Sequence, residues 1–578
     1  MHHLEKHLLS HLTFIYGETR APELLVQIYR LIDAYKGRIP PRDPISSSQF
    51  SQEDVILITY GDMVQEDGEP PLQSLSDFLD QWVAGMINTV HVLPFFPYSS
   101  DDGFSVIDYK QVKQELGTWS HISKLNQSFK LMFDAVINHI SASSRWFQEF
   151  LAGEEPYKEF FIIIHPDDDL SNVFRPRAFP LATQVQTKEG PTLVWTTFGP
   201  DQIDLNYKNP DVLLEIVDTL LEYVAQGAEL IRMDAIAFIW KEPGTNCIHL
   251  PQTHQIIQLF RTVLDIAAPW VKIITETNVP HKDNITYFGD GENEAQMVYN
   301  FTLPPLVLYT FQTQNSQALS SWASNLTLPS GQVAFLNFLA SHDGVGVTPL
   351  RGILGEDAIT LLAKRTEELG GHVSYKTNPD GSQSVYELNI SYIDALGEPG
   401  ESIANAGFVA NRFLATQAIM LSMKGVPGIY FHSLFGSRSW FEGVEMTGQA
   451  RTINRQKLNR AELEAAIQDL SSLHHLIYKG YKQLLSARIR LQAFHPKSKQ
   501  EILVLDPRIF AVKRIPHIGE SEVLCLHNVT SEVLTLRIPL DNCTQARDLL
   551  SGEKFPVDDQ HISLTFDPYK VYWLDITN

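Results

Sequence analysis

Three cysteines in 578 residues are too few for a disulfide framework, and Cys247, Cys525 and Cys543 are too scattered for a metal knuckle. That scarcity points to a reducing cytoplasm. Long apolar runs are missing as well. The most apolar stretch, 408–431, is interrupted by Arg412 and Lys424 and contains a Val-Pro-Gly turn, so it reads as a helix followed by a strand and not as a membrane span. The N-terminus, MHHLEKHLLSHLTFIYGE, lacks the basic, then apolar, then small-residue order of a signal peptide. Its His2, His3 and His7 read as a mobile terminus. Positive charge is in deficit: 45 basic residues face 68 acidic ones, for a formal net charge of −23. This argues against nucleic acid and anionic membranes as partners, and it requires any anionic substrate to be held by local arginines. No repeat, low-complexity segment or charge block is present. The Asp167-Asp168-Asp169 run does not have calcium-loop spacing. No metal and no cofactor is expected, and a homodimer is left open.

What is present is ordinary globular composition, 44% hydrophobic and 20% charged, and a regular alternation. Eight strand-like runs occur: VILITY (55–60), TVHVLPF (89–95), LMFDAVIN (131–138), AELIRMDA (228–235), KIITET (272–277), QMVYNFTL (296–303), VAFLNFLAS (333–341) and VPGIYF (426–431). Helical patterns such as 74–86 and 210–228 lie between them. Strands alternating with helices eight times predict an α/β protein built on a (β/α)8 barrel. Two connections are too long for simple crossovers and imply loop-inserted subdomains. After residue 491 short β-rich runs predict a C-terminal antiparallel β-domain. The expected division is barrel over 1–97, 209–344 and 401–490, inserted domains over 98–208 and 345–400, and the β-domain over 491–578.

Three of the runs end in carboxylates: Asp234, Glu276 and Asp343. The C-terminal rim of a barrel is where the βα loops open a pocket. Arg232 and Asp234, two apart, share a face, and an arginine keeps a nearby carboxylate ionised and oriented, as a nucleophile at an anomeric carbon requires. Glu276 can serve as general acid with its pKa raised by an apolar site. His342 and Asp343 can hold sugar hydroxyls and stabilise an oxocarbenium-like transition state. A retaining glycosyl transfer needs such a set, with nucleophile and acid about 5–5.5 Å apart. Phe95, Phe96 and Tyr98 could stack on a sugar or pack. His139 could bind sugar or support a neighbour. Arg351 and Lys376 are weaker anion candidates.

In order, DAVINH, RMDA, ETN and SHD resemble the four signature regions of the α-amylase superfamily. ITYGDM (58–63), HVLPFFPYSSDDGFSVIDY (91–109), FGPDQIDLN (198–206), KEPGTNCIH (241–249) and LPPLVL (303–308) resemble its sucrose-phosphorylase branch, over nearly the whole chain. The resemblance implies Asp234 as nucleophile, Glu276 as acid/base and Asp343 as transition-state stabiliser. It implies Asp62, His91, Phe198, Gln202, Arg232, His342 and Arg455 around a glucose subsite, an α-glucoside donor, and inorganic phosphate as acceptor. ETNVPHKDNITYFG (276–289), SSDDGFSVIDY (99–109) and FRPRAFPL (174–181) are more similar to the branch members that phosphorolyse glucosylglycerate than to those acting on sucrose. Asn278 and Glu387 stand where sucrose phosphorylases typically carry histidine and, in many cases, glutamine. Arg175 and Arg177, stiffened by Pro176, suit phosphate or carboxylate, and the resemblance implies Arg455 as a better anion candidate. The expected reaction is reversible phosphorolysis of 2-O-α-D-glucosyl-D-glycerate. Sucrose, sucrose 6-phosphate or glucosylglycerol as donor is the alternative, and hydrolysis of an α-glucoside a more distant one.

Overall fold

The computed structural model describes residues 2–42, 50–177, 179–378, 380–400, 405–519, 522–540 and 543–577. Each of the eight apolar runs contains a strand: β1 (Ile56–Thr59), β2 (Thr89–Val92), β3 (Lys130–Ala135), β4 (Ala228–Met233), β5 (Lys272–Thr275), β6 (Met297–Tyr299), β7 (Ala334–Asn337) and β8 (Val426–Tyr430). All pair in parallel with their chain neighbours, and β8 closes on β1. The strands are buried along their length except for Lys130 at the start of β3. Helices cover the outer face of such strands and the side chains of the barrel interior their inner face, which is why they read as unbroken apolar runs. The helix Pro210–Ala225 shows the local logic. Asn209 caps it by accepting from the Asp211 amide at 3.0 Å, Pro210 opens the first turn, and Val212, Leu213, Ile216, Val217, Leu220 and Leu221 are buried.

The range 98–208, expected as one insertion, is interrupted by the barrel itself. The helix Trp119–Ser128 and strand β3 lie inside it. After β3 the chain leaves the barrel through a strand pair, His139–Ser141 with Gln202–Asp204, and a hairpin, Ala182–Thr187 with Gly190–Trp195. Between β7 and β8 lie the helix Glu356–Glu368 and a hairpin, His372–Thr377 with Gln383–Asn389. The C-terminal strands form a six-stranded antiparallel sheet and a further pair, Leu534–Pro539 with His561–Phe566. Two short strands there, Gln545–Asp548 and Lys554–Pro556, are too brief and polar to have been read from the sequence. The N-terminus is not a loose end: His2–Tyr16 is a helix whose Leu8 and Leu12 are fully buried, and His11 Nδ1 lies 2.8 Å from Gln255 Oε1. Phe95 and Phe96 are wholly buried among core aromatics, so they pack and do not face a ligand.

Candidate active site

The strand ends bring charge into the barrel mouth. Asp134 on β3 is the register partner of Arg232 on β4, and both side chains point inward. Arg232, 2% exposed, spends one nitrogen on Asp134 and on Asp234 Oδ1 at 2.8 Å, while its other nitrogen lies 3.7 Å from Glu276 Oε2. Asp234 and Glu276 each sit one residue beyond their strands. The Ala235 amide donates to Glu276 Oε2 at 3.0 Å. One guanidinium therefore serves both carboxyls. Burial raises both of their pKa values, Glu276 to about 7, and Arg232 opposes the rise in each. Because Arg232 bonds Asp234 directly and only approaches Glu276, Asp234 ionises first and Glu276 keeps the proton.

Asp343 is treated differently. Burial alone would push it up, but Arg451 at 2.6 Å, with His342 and Arg455 beside it, holds it well below the ordinary carboxylate range. Arg451 is gripped from its other side by Glu387, with hydrogen bonds of 3.0 and 2.8 Å. Arg455 donates to the His342 carbonyl at 2.9 Å and to Asp102 Oδ2 at 2.9 Å. His342 is kept neutral, its pKa lowered by burial to about 3, and its ring stacks on Phe104 at 4.7 Å.

The cleft above these groups is lined by Asp234, Glu276 and Asp343, and also by Phe198, Gln202, Asn278, His342, Arg177 and Glu387. Five residues expected from the sequence are not among those lining it, and one of them, Arg232, lies beneath Asp234 and Glu276. His91 lies deep in β2, fully buried, 2.6 Å from Asp134 Oδ2, so it touches the site only through Asp134 and Arg232. Asp62, three residues past β1, is paired with Lys457 at 2.7 Å. Arg455 is buried beneath the floor, its cationic edge taken by Asp101, Asp102 and Asp343. Arg175 turns away to donate to the Phe179 carbonyl at 2.8 Å. In their place stand Asp101, His139, Tyr386 and Arg451. Asp101 lies in SSDDGF and His139 ends DAVINH, where it already stood as a sugar-binding candidate; Tyr386 adjoins Glu387, and Arg451 lies one helical turn before Arg455. No cluster of three or more metal-ligating side chains exists among the described residues.

This fold and its three rim carboxylates define an α-amylase-type catalytic barrel. The family model for the alpha amylase catalytic domain matches residues 72–351. The chain is 46% identical to the glucosylglycerate phosphorylase of Spirochaeta thermophila, over 97% of each chain, and 43% identical to that of Escherichia coli, over 99% of this chain and all of the other. It belongs to the glucosylglycerate phosphorylase family and is thereby a glycoside phosphorylase, an enzyme of hexosyl transfer. The sucrose phosphorylase of Bifidobacterium adolescentis is 28% identical over 76% of this chain and 86% of its own. In fold, the chain matches the crystal structure of sucrose 6F-phosphate phosphorylase from Thermoanaerobacter thermosaccharolyticum with a TM-score of 0.72 at 22% identity, over 90% of this chain and 99% of that one.

Proposed function

We propose that this protein catalyses the reversible phosphorolysis of 2-O-α-D-glucosyl-D-glycerate to α-D-glucose 1-phosphate and D-glycerate, with retention of configuration. The observation that carries the mechanism is the guanidinium shared by Asp234 and Glu276, which leaves one carboxyl ionised and the other protonated near neutral pH. Asp234 attacks the anomeric carbon. The bond to the glycerate 2-oxygen breaks, and Glu276 gives that oxygen its proton. This leaves a glucosyl ester on Asp234 and a carboxylate on Glu276. A phosphate oxygen then attacks the same carbon from the face the glycerate vacated, the ester bond breaks, and a proton of the hydrogen phosphate passes to Glu276. Asp343, held ionised by Arg451, stabilises the positive charge that develops at the anomeric carbon in both steps.

Both the leaving group and the acceptor are anions, and the chain carries −23. Arg177 supplies the local cation: it lines the cleft close enough to Asp343 and Tyr386 to influence both, and its guanidinium has no hydrogen-bond or ion-pair partner among the described residues. Asn278, whose buried Oδ1 also lacks a partner, faces the same space. Glu387 acts through Arg451 and does not meet the anion. The three buried free thiols fit a cytoplasmic enzyme. Among the described residues no helix is long and apolar enough to cross a membrane. The test is a donor panel of glucosylglycerate, sucrose and glucosylglycerol at saturating phosphate. Glucose 1-phosphate without free glucose is expected, fastest from glucosylglycerate. Faster cleavage of sucrose overturns the glycerate assignment.

A further inference from the structure

One carboxylate near the cleft has no part in the chemistry above, yet it is unusually well dressed. Asp201 stands at the mouth, one residue before Gln202. Ser99, Ser100 and Ser105 place their hydroxyls 2.6, 2.5 and 2.8 Å from its Oδ2, and Ser141 lies 3.3 Å from its Oδ1. Ser105 Oγ also lies 2.8 Å from the Asp201 carbonyl. No cation pairs with it among the described residues. The hydroxyls hold the carboxyl ionised against burial. Three of the four serines come from one short segment, 99–105, and they sit at its two ends. The Ser99 amide donates to the Ser105 carbonyl at 3.1 Å, which closes the neck of a loop, and Asp201 is the knot around that neck.

Everything the loop carries goes to the sugar site. Asp101 lines the cleft. Asp102 binds Arg455, which reaches Asp343 and the His342 carbonyl. The Phe104 ring stacks on His342 and lies 5.6 Å from the Arg232 guanidinium, and its carbonyl accepts from His139 at 2.9 Å and Gln202 at 3.0 Å. The backbone does not favour this shape by itself. Asp101 and Asp102 occupy consecutive left-handed conformations, φ 52° and 47°, and Gly103 (φ 109°) passes so close to Pro94 that a Cβ would lie 2.5 Å from its carbonyl oxygen. Left-handed conformations of non-glycine residues persist only where the surroundings over-determine them. Here the Asp201 knot at the neck and the Arg455 contact at the tip do so.

We propose that Asp201 is a positioning residue of the donor site: it ties the 99–105 loop shut and so holds Asp101, Asp102 and Phe104 where the glucosyl group is gripped. The inference rests on the reading of the cleft as a glucosyl-donor site. Asp201→Ala is expected to lower kcat/KM about a hundredfold for both glucosylglycerate and α-glucosyl fluoride, with the KM for phosphate and the melting temperature unchanged. The fluoride needs only the donor site and Asp234, so a failed glycerate assignment would leave this test standing. Ser100→Ala and Ser105→Ala each remove a single strand of the knot and are expected to give smaller falls in the same two parameters. Donor kcat/KM at the wild-type value in Asp201→Ala overturns the proposal, as do losses that track melting temperature across the series. Should Asp201→Ala fail to fold, wild-type donor kinetics in both serine variants overturn it.

Discussion

Replacing Glu276 by glutamine separates the proton it carries from the shape it fills. A rise from 4.5 to about 7 corresponds to about 3 kcal/mol of preference for the protonated form in the folded state. The sign follows from linkage. Between pH 4.5 and 7 the folded chain holds a proton that the unfolded chain has released, so native stability falls as pH rises through that window. Glutamine has no proton to lose. The difference in melting temperature, Glu276→Gln minus wild type, is therefore expected to be larger at pH 8 than at pH 5, and calorimetry at the two pH values measures it. In kinetics, turnover of glucosylglycerate is expected to fall by roughly two to four orders of magnitude. α-Glucosyl fluoride, whose leaving group needs little protonation, is expected to lose no more than about tenfold. The wild-type rate of glycerate release is expected to decline above pH 7 as Glu276 ionises. Equal losses with the two donors, or a melting-temperature difference independent of pH, would refute the assignment of Glu276 as the protonated acid.

Three further outcomes are expected. Asp234→Asn abolishes turnover with both donors and leaves the circular dichroism spectrum intact, because an amide cannot attack the anomeric carbon; near-normal phosphorolysis removes Asp234 from the nucleophile role. Arg177→Ala raises the KM for phosphate and for glycerate together by about one to two decades, the worth of a charged contact of roughly 1.5–3 kcal/mol, whereas Arg455→Ala lowers kcat with every donor because it unpairs Asp102 and takes from Asp343 the second of its two arginines; the opposite pattern, measured by initial rates in both directions, contradicts the placement of the two arginines. Asn278→His shifts the acceptor preference from glycerate toward fructose in the synthetic direction, and an unchanged ratio shows that position 278 does not meet the acceptor.

The eight barrel strands were legible because a parallel strand buried on both faces leaves a dense apolar run, and Asp234 and Glu276 because each stands one residue past such a strand; Asp343, read as the end of its run, lies six residues beyond β7, on the loop that follows it. The C-terminal antiparallel domain was legible from its short β-rich runs, although its two shortest strands were not. The N-terminal helix was missed as packed structure. Its apolar stripe is real, but only the partner helix Pro251–Ala267 shows that the stripe is covered.

Within the site, local sequence determined the pairs: Arg232 with Asp234, and His342 with Asp343, are fixed by spacing along one chain segment. It could not decide among candidates of the same residue type. His91 and His139, Asp62 and Asp101, Arg455 and Arg451 are equally suited by residue type, and only the tertiary arrangement sends the second of each pair to the cleft. The reason is that facing depends on contacts distant in sequence. Asp134 claims His91 from 43 residues away, Asp102 claims Arg455 from 353, and Asp201 sets the 99–105 loop from a hundred residues further along the chain. The sequence by itself determined the chemistry available and the fold that presents it. Tertiary structure decided which charges are consumed by one another, and it leaves Arg177 beside the cleft without a hydrogen-bond or ion-pair partner among the described residues.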